Sequence, residues 1–264
     1  MSYEHITFEE SDGMALLTLN RPSALNALCS PMLVEMNEAL DVIRDQGRVR
    51  ALLIGGAGRA FCSGADLVKG TGAGNLSAQF DAGRILETQL NPLIERLTAL
   101  PVPVVAAVQG AVVGAGCSIA LAADLVVASQ SAYFMLAFTR AGLIPDCGAT
   151  WLLPRLVGRA RANAMMFLAE KITADTALQW GLIHQTVGDD ELLVTARALA
   201  GSLATGPTRA FALLRQALSR SVSSSLSEAL QLERSLQSRA GLTQDFAEGA
   251  AAFREKRKPR FCGM

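Results

Sequence analysis

Short apolar segments with the two-residue period of β-strands alternate with longer segments of helical period through the first two thirds of the chain. The predicted strands cover residues 5–9, 14–20, 50–54, 103–108 and 125–128. The predicted helices between them cover residues 30–46, 80–100 and 115–123. Ser30 is expected to be the N-cap of the first helix. Because helices that alternate with strands cover the faces of a sheet, this order predicts an α/β layered core.

Helical patterns occupy nearly all of the last third, at residues 174–180, 191–204, 207–220 and 225–240. We therefore expect a core at residues 1–200 and a smaller helical C-terminal region at residues 201–264. The apolar stretch 102–123 has the length of a membrane span, but Pro103, Gln109 and several glycines interrupt it. It is better interpreted as a buried strand, a glycine-rich turn and a buried helix.

Composition excludes several classes of protein. Half of the residues are hydrophobic and 18% are charged, which is too apolar for a disordered chain. Lys and Arg together number 24, as do Asp and Glu, so broad electrostatic binding of nucleic acid or of an anionic membrane is not expected. The five cysteines include no Cys-x-x-Cys pair and there are two histidines, so we expect no disulfide framework, no metal site and a cytoplasmic location.

Two glycine-rich turns follow predicted buried strands, at residues 58–67 and 110–117. Small residues let a ligand approach the backbone closely, and free N–H groups at a helix start favour developing negative charge. If the fold brings the turns together, one N–H from each could form an oxyanion hole; the alternative is that the glycines serve close packing between layers. The sequence contains no G-x-G-x-x-G, Gly-Lys-Ser/Thr or G-x-S-x-G motif, so dinucleotide-binding, NTPase and serine-hydrolase sites lack their usual signs.

Asp146 is the candidate acid–base residue, because it lies in the apolar segment 143–150 just before a predicted helix. One role for it is the N-cap of that helix. The other is a carboxylate base whose pKa is raised towards the working pH by burial. Both roles can hold at once. The apolar neighbours expected to desolvate it are Leu143, Ile144, Phe138 and Trp151.

Three other polar residues are interpreted as structural rather than catalytic. Asp66 is expected to brace the first glycine-rich turn, and Asp124 to cap the join between a helix and a strand. His184 precedes a short predicted strand and is expected to be packed or solvated rather than a ligand.

Five motifs that occur in order resemble those of the crotonase superfamily, the enoyl-CoA hydratases and isomerases. They lie at residues 18–28, 58–67, 108–124, 142–155 and 248–261. The resemblance implies a spiral of ββα units with a helical C-terminal trimerisation region, assembled as a homotrimer or as a hexamer (a dimer of trimers). It also implies an acyl-CoA substrate and no cofactor, because coenzyme A enters as part of the thioester. Neither nucleic acid nor a membrane is an expected partner.

In this superfamily two backbone N–H groups hold the thioester carbonyl, and the resemblance places these donors at Ala65 and Ala115. The residues that it places along the coenzyme A path are Ser23, Ala24, Leu25, Ala65, Asp66, Leu67 and Val68. Phe138 would contact the substrate, and Phe253 and Lys256 would approach coenzyme A from the C-terminal region of this or a neighbouring subunit. The basic tail either contacts its phosphates or is merely solvated; its residues are Arg254, Lys256, Arg257, Lys258 and Arg260.

The chain departs from typical hydratases at the two positions where they carry the glutamates that activate and protonate water. Ser118 and Phe138 stand there, and neither can act as a carboxylate base. Asp146 stands where several isomerases of the superfamily and an aryl-CoA dehalogenase carry a catalytic acid. The run 142–155 is especially similar to an isomerase of unsaturated and ring-derived acyl-CoA thioesters. The resemblance therefore implies an isomerase in which Asp146 moves one proton between carbons.

Three alternatives stay open at this point. One is hydration by an atypical active site, and another is hydrolysis or dehalogenation of an aryl-CoA by nucleophilic attack of Asp146. The third is a non-catalytic member that binds acyl-CoA or RNA, against which the neutral net charge and the presence of Asp146 both argue. The loop 70–75 and the helix 80–100 are expected to line the acyl pocket.

Overall fold

A computed structural model gives the fold of residues 3–66 and 81–264. Leu67, Val68 and the loop 70–75 lie outside these described residues. The strands are β1 (Ile6–Ser11), β2 (Met14–Leu19), β3 (Ala51–Gly56), β4 (Val104–Val108), β5 (Ala111–Val113), β6 (Leu125–Ser129), β7 (Tyr133–Met135), β8 (Ile172–Thr173) and β9 (Gln185–Val187). Within the described ranges, six strands form a sheet in the order β1-β2-β3-β4-β6-β9, and β5, β7 and β8 form a second, smaller sheet.

The larger sheet is parallel apart from its β1–β2 pair, and helices lie between its strands along the chain and after its last strand. They are α1 (Ser30–Gln46), α2 (Ala82–Ile85), α3 (Asn91–Ala99), α4 (Ala115–Leu121), α5 (Ala149–Leu168), α6 (Ala174–Gln179), α7 (Leu192–Ala204), α8 (Thr208–Ser221), α9 (Leu226–Ala240) and α10 (Gln244–Glu255). Among the helices of the described residues, none is long and apolar enough to cross a membrane. The α/β fold expected from the sequence is confirmed, and the apolar stretch 102–123 forms β4, β5 and α4.

The strands and helices predicted from the sequence are present with their ends shifted by one or two residues. The sequence pattern missed three-residue strands such as β5 and β7, and it missed α10. The expectation that Ser30 is an N-cap is wrong. The N-cap of α1 is Cys29, and within the described structure no side chain hydrogen-bonds to that end of the helix. Ser30 is the first residue of the helix, and Pro31 follows it in the first turn. Proline is tolerated there because its missing N–H would have no partner inside the helix.

Successive residues of the central strand β3 pack on opposite faces of the sheet. Leu52 and Ile54 belong to the main core under α1 and α3, whereas Leu53 belongs to a smaller core under α7. Because side chains alternate along a strand, a strand that is apolar at every position is buried on both faces. Because β3 is buried on both faces, its position is fixed, and so is the start of the glycine-rich turn that follows it.

The helical stretch before β4 passes through Pro92 without a break. Residues Leu86–Leu90 form a single π-helical turn directly before α3, which carries Pro92 in its first turn. Proline has no N–H to donate to the preceding turn, and a wider turn accommodates the missing hydrogen bond. The predicted helix 80–100 is therefore widened locally before Pro92 rather than broken there.

Two arginines attach the C-terminal helices to the core. Arg215 of α8 donates to Asp124 at 2.9 Å and to backbone carbonyls at the end of α3, and its side chain is 9% exposed. Arg50, at the amino end of β3, donates to Thr208 at 2.9 Å and to the carbonyl of Phe261 at 3.1 Å. The C-terminal region therefore packs at the amino end of the larger sheet.

Replacing Arg215 with alanine removes these hydrogen bonds and leaves Asp124 and three carbonyl groups without their donor. We expect Arg215→Ala to lower the free energy of unfolding by about 2–3 kcal/mol. Denaturant unfolding followed by circular dichroism measures this change. Arg220 is exposed on the same helix, and Arg220→Ala should change the free energy of unfolding by less than about 0.5 kcal/mol. Equal losses in both variants would show that Arg215 is not the anchor.

Candidate active site

The two glycine-rich turns lie against each other at the carboxyl end of the larger sheet. The backbone N–H of Cys62 donates to Ala111 at 3.0 Å, and that of Val113 donates to Cys62 at 2.9 Å. A methyl group added to Gly64 would lie 3.1 Å from the Val113 oxygen and 3.6 Å from the Cα of Gly114. Both glycines have positive φ, at 95° and 56°. The positive φ therefore favours glycine at both positions, and at Gly64 the close approach to Val113 favours it as well.

Each turn carries a backbone N–H that has no protein acceptor within the described part of the chain. Ala115 is the first residue of α4, where N–H groups have no partner inside the helix. Ala65 forms a parallel bridge with Leu28, in which the flanking groups Gly64 C=O and Asp66 N–H are bonded to Leu28. Because alternate groups of a strand point to opposite sides, the N–H of Ala65 points away from Leu28 and makes no hydrogen bond in this bridge.

Asp146 lies in the loop before α5 and does not cap that helix. The N-cap of α5 is Gly148, with φ 79°, and no side-chain cap exists at this end within the described residues. The N-cap role expected as one possibility for Asp146 is therefore wrong. Its Oδ1 is buried and has no hydrogen-bond partner in the part of the chain that the structure describes. Burial raises the pKa of Asp146 above its ordinary value, while a hydrogen bond with the Cys147 thiol opposes this.

The apolar cover expected over Asp146 is incomplete in the single chain. Leu143, Ile144 and Trp151 are 42%, 80% and 46% exposed, so these side chains contribute less desolvation than the sequence predicted. Phe138 is half-buried, and its ring comes within 4.0 Å of a methyl group built on Gly114. Of the four predicted neighbours, Phe138 is thus the one placed against the glycine-rich turns.

Ser118 is completely buried in α4, and its hydroxyl donates to the backbone carbonyl of Asp146 at 3.1 Å. Asp146 is therefore attached to the helix whose first residue is Ala115, one turn away. In the sequence, Ser118 stands where hydratases carry a glutamate. Its contact with Asp146 could not be predicted, because the two residues are 28 positions apart in the chain.

Three buried thiols close to the turns stay protonated and are therefore unreactive. Burial raises the pKa of Cys62 and Cys117 to about 12, and it raises that of Cys147 as well. These side chains are neutral and pack as small apolar groups. All five cysteines are free thiols, and the described residues contain no group of acidic, histidine and cysteine side chains that could hold a metal ion.

Two of the three polar residues interpreted as structural have structural side-chain contacts, and the third is exposed. Asp66 forms an ion pair with Arg21 at 2.9 Å, which braces the first glycine-rich turn as predicted. Asp124 accepts from the N–H of Val104 at 2.7 Å, which confirms its role at the join between α4 and β6. His184 is exposed directly before β9.

The structure brings part of the predicted coenzyme A path together. Ser23 and Ala24 lie in the short 3-10 turn Pro22–Ala24, and the carbonyl of Leu25 accepts from Ser63 at 3.0 Å, beside the first glycine-rich turn. Leu67 and Val68 lie outside the described residues.

The structure does not bring Phe253 and Lys256 to the site within one chain. Phe253 is 85% exposed and Lys256 is exposed, on or directly after α10. The C-terminal tail is instead bound by Arg50 at the opposite end of β3. Their approach to coenzyme A, from this or a neighbouring subunit, stays a prediction.

The comparisons with known proteins agree with this geometry. The family model described as enoyl-CoA hydratase/isomerase matches residues 9–264. A probable enoyl-CoA hydratase from Rhodobacter capsulatus is 47% identical over the whole of both chains. The 1,2-epoxyphenylacetyl-CoA isomerase from Escherichia coli is 44% identical, over 98% of this chain and 99% of its own. The crystal structure of an enoyl-CoA hydratase from Bacillus anthracis is 30% identical and superposes with a TM-score of 0.92, covering 99% of this chain and 100% of that one.

The parallel sheet, the two joined turns and the helical C-terminal region define a crotonase-type enzyme. The chain belongs to the enoyl-CoA hydratase/isomerase family. The similarity expected to an isomerase of ring-derived acyl-CoA thioesters is confirmed by the relative from Escherichia coli, although the relative from Rhodobacter is slightly more similar.

Gly116 is one of the positions at which a small side chain would push the two turns apart. A methyl group there would lie 2.5 Å from the Cβ of Cys62 and 2.6 Å from its Sγ. We expect Gly116→Ala to lower the free energy of unfolding by about 1–3 kcal/mol through overpacking. Denaturant unfolding measures the change.

Gly201, in α7, is the matched control, because nothing lies within 4 Å of a methyl group added there. Gly201→Ala should raise the free energy of unfolding by about 0.5–1 kcal/mol, since alanine loses less backbone entropy in a helix. A Gly116→Ala variant as stable as Gly201→Ala would contradict the close packing of the turns.

Proposed function

We propose that this enzyme is an acyl-CoA isomerase that shifts a double bond, or rearranges a ring-derived acyl group, with Asp146 as its single proton carrier. The observation that carries the proposal is the buried, unpartnered Oδ1 of Asp146, attached through Ser118 to the helix that begins at Ala115. An acid–base group needs this combination of a raised pKa and proximity to the polarised carbonyl.

The thioester oxygen accepts hydrogen bonds from the N–H groups of Ala65 and Ala115. Asp146 removes a proton from the acyl chain, and the negative charge spreads onto the thioester oxygen as an enolate. The same carboxyl group, now protonated, returns the proton to another carbon, so no water is added. Each N–H donor is expected to stabilise the transition state by on the order of 3 kcal/mol, and the proton carrier to contribute roughly 100- to 10,000-fold in rate.

The residues at the positions of the hydratase glutamates support isomerisation over hydration. The hydroxyl of Ser118 is buried and already donates to the Asp146 carbonyl, and the ring of Phe138 is apolar. Neither side chain can activate a water molecule as a carboxylate does. Hydration is the second candidate, because the relative from Rhodobacter capsulatus is described as a probable enoyl-CoA hydratase.

Coenzyme A enters as part of the substrate, and no separate cofactor is needed for the proton shift. Ser23, Ala24, Leu25 and Asp66 would border its path, and Leu67 and Val68 would continue it. The phosphates would meet the basic tail, although Arg257 is already paired with Glu248 and Glu255.

Self-association into a trimer or hexamer would supply the residues that one chain lacks. A groove of about 640 Å³ between α8 and α9 is lined by apolar side chains, of which Leu214, Leu218 and Leu230 are exposed. Exposed apolar grooves of this kind favour protein contacts. A neighbouring subunit would then bring Phe253 and Lys256 to coenzyme A. A cytoplasmic location is part of the same proposal.

A panel of β,γ-unsaturated, dienoyl and aryl-derived CoA thioesters tests the function. Turnover in heavy water followed by NMR identifies the substrate and the carbon that exchanges its proton. Isomerisation gives a product of the same mass in ordinary water, whereas hydration adds one water. Nucleophilic attack by Asp146 would leave an ester on that residue, which mass spectrometry of quenched enzyme would detect.

Asp146→Asn keeps the size of the side chain and removes the base. We expect kcat to fall by about 100- to 10,000-fold while the dissociation constant for the acyl-CoA stays close to that of the wild type. Steady-state kinetics and equilibrium binding measure the two effects. Asp175→Asn, an exposed change in α6, is the control and should leave kcat unaltered. Near-full turnover by Asp146→Asn on every accepted substrate would show that the base is misassigned.

The raised pKa of Asp146 predicts two opposite pH effects. The base must be ionised, so kcat/KM should fall as the pH is lowered through a pKa above the value of about 4 for an ordinary aspartate. In the folded state the ionised carboxylate is unfavourable, so its contribution to stability is full below the unfolded-state pKa and is lost as the pH rises through the folded-state pKa. Asp146→Asn should therefore be more stable than the wild type at neutral pH and no more stable at about pH 3. Thermal unfolding at the two pH values checks this, and a variant less stable at neutral pH would contradict it.

A further inference from the structure

Ser118 connects the two halves of the candidate site. It lies in α4, one turn from Ala115, and its hydroxyl donates to the Asp146 carbonyl at 3.1 Å. We propose that Ser118 is a positioning residue, whose hydrogen bond fixes the backbone of Asp146 relative to the helix that binds the thioester. This inference rests on the proposed function of Asp146 as the proton carrier.

Two donors meet on the Asp146 carbonyl and fix the plane of its peptide bond. One is the Ser118 hydroxyl and the other is the N–H of Ala149, at 3.0 Å. The next two residues, Cys147 and Gly148, are both left-handed, with φ of 52° and 79°. A cysteine adopts this conformation only where its surroundings hold it there. Loss of the Ser118 hydrogen bond would let the strained segment relax and would move Asp146 with it.

Apart from its hydrogen bond with the Cys147 thiol, the carboxylate depends on its backbone for its position. Asp146 Oδ1 has no hydrogen-bond partner among the described residues, so at that oxygen no side chain holds the group in place. Ser118 is itself fixed, because its own N–H donates to Gly114 at 3.2 Å and its side chain is fully buried. A continuous path of hydrogen bonds thus runs from the second glycine-rich turn to the catalytic aspartate.

Two substitutions separate the hydrogen bond from packing. Ser118→Ala removes the donor, and we expect kcat to fall by about 10- to 100-fold, because misplacement of a reacting group by about 1 Å has effects of this size. KM should change by less than about twofold, since the groups that bind coenzyme A are untouched. Ser118→Cys fills nearly the same space but donates weakly, so its kcat should fall nearly as far.

Ser129→Ala is the matched control. Ser129 is also fully buried, it shares one hydroxyl–hydroxyl hydrogen bond with Ser131 at 3.0 Å, and it lies at the end of β6. This variant should retain wild-type kcat while losing a similar amount of thermal stability.

Three outcomes would overturn the proposal: wild-type kcat in both Ser118 variants, restoration of kcat by cysteine alone, or an equal loss of kcat in Ser129→Ala. Asp146→Asn is measured beside them. If it is inactive while the Ser118 variants are fully active, the positioning role alone is wrong. If Asp146→Asn turns over at the wild-type rate, the proposed function itself fails.

Discussion

The contact between Gly64 and Gly114 is the constraint on which the rest of the site depends. Two separate strand–turn segments must meet closely enough that a single methyl group would strain the contact. Their meeting leaves the N–H groups of Ala65 and Ala115 without acceptors among the described residues, so both are available to a ligand. The close packing of the turns is therefore observed, and the oxyanion hole is the proposal that rests on the same arrangement.

The proposed proton transfer depends on a second contact, the hydrogen bond that holds the Asp146 loop to α4. Asp146 belongs to a loop rather than to a strand or a helix, and its position follows from a single buried serine and from the strained residues after it. The burial that raises its pKa is partial in one chain, because Leu143, Ile144 and Trp151 are exposed. Substrate and a neighbouring subunit would complete its cover. An acid–base group whose desolvation is completed by the substrate also stays accessible for substrate entry.

Local patterns in the sequence were enough to predict the layered core, and they singled out the two glycine-rich turns and Asp146 as candidates. Strand period, turn residues and helix starts are properties of neighbouring residues, and they predicted element ends to within one or two positions. Contacts between distant residues were out of reach. The bond from Ser118 to Asp146 spans 28 residues, and that from Arg50 to Phe261 spans 211. The exposure of individual side chains could not be predicted either: Ile144 is apolar, yet its side chain is 80% exposed in the fold.

A crystal structure with a saturated acyl-CoA bound tests the central claim most directly. The account predicts that the thioester oxygen lies about 2.7–3.1 Å from the backbone nitrogens of both Ala65 and Ala115. It also predicts that a carboxylate oxygen of Asp146 lies about 3–3.5 Å from a carbon of the acyl chain. A thioester bound by both nitrogens, with the Asp146 carboxylate directed away from the acyl chain and beyond the reach of one bridging water, would contradict it.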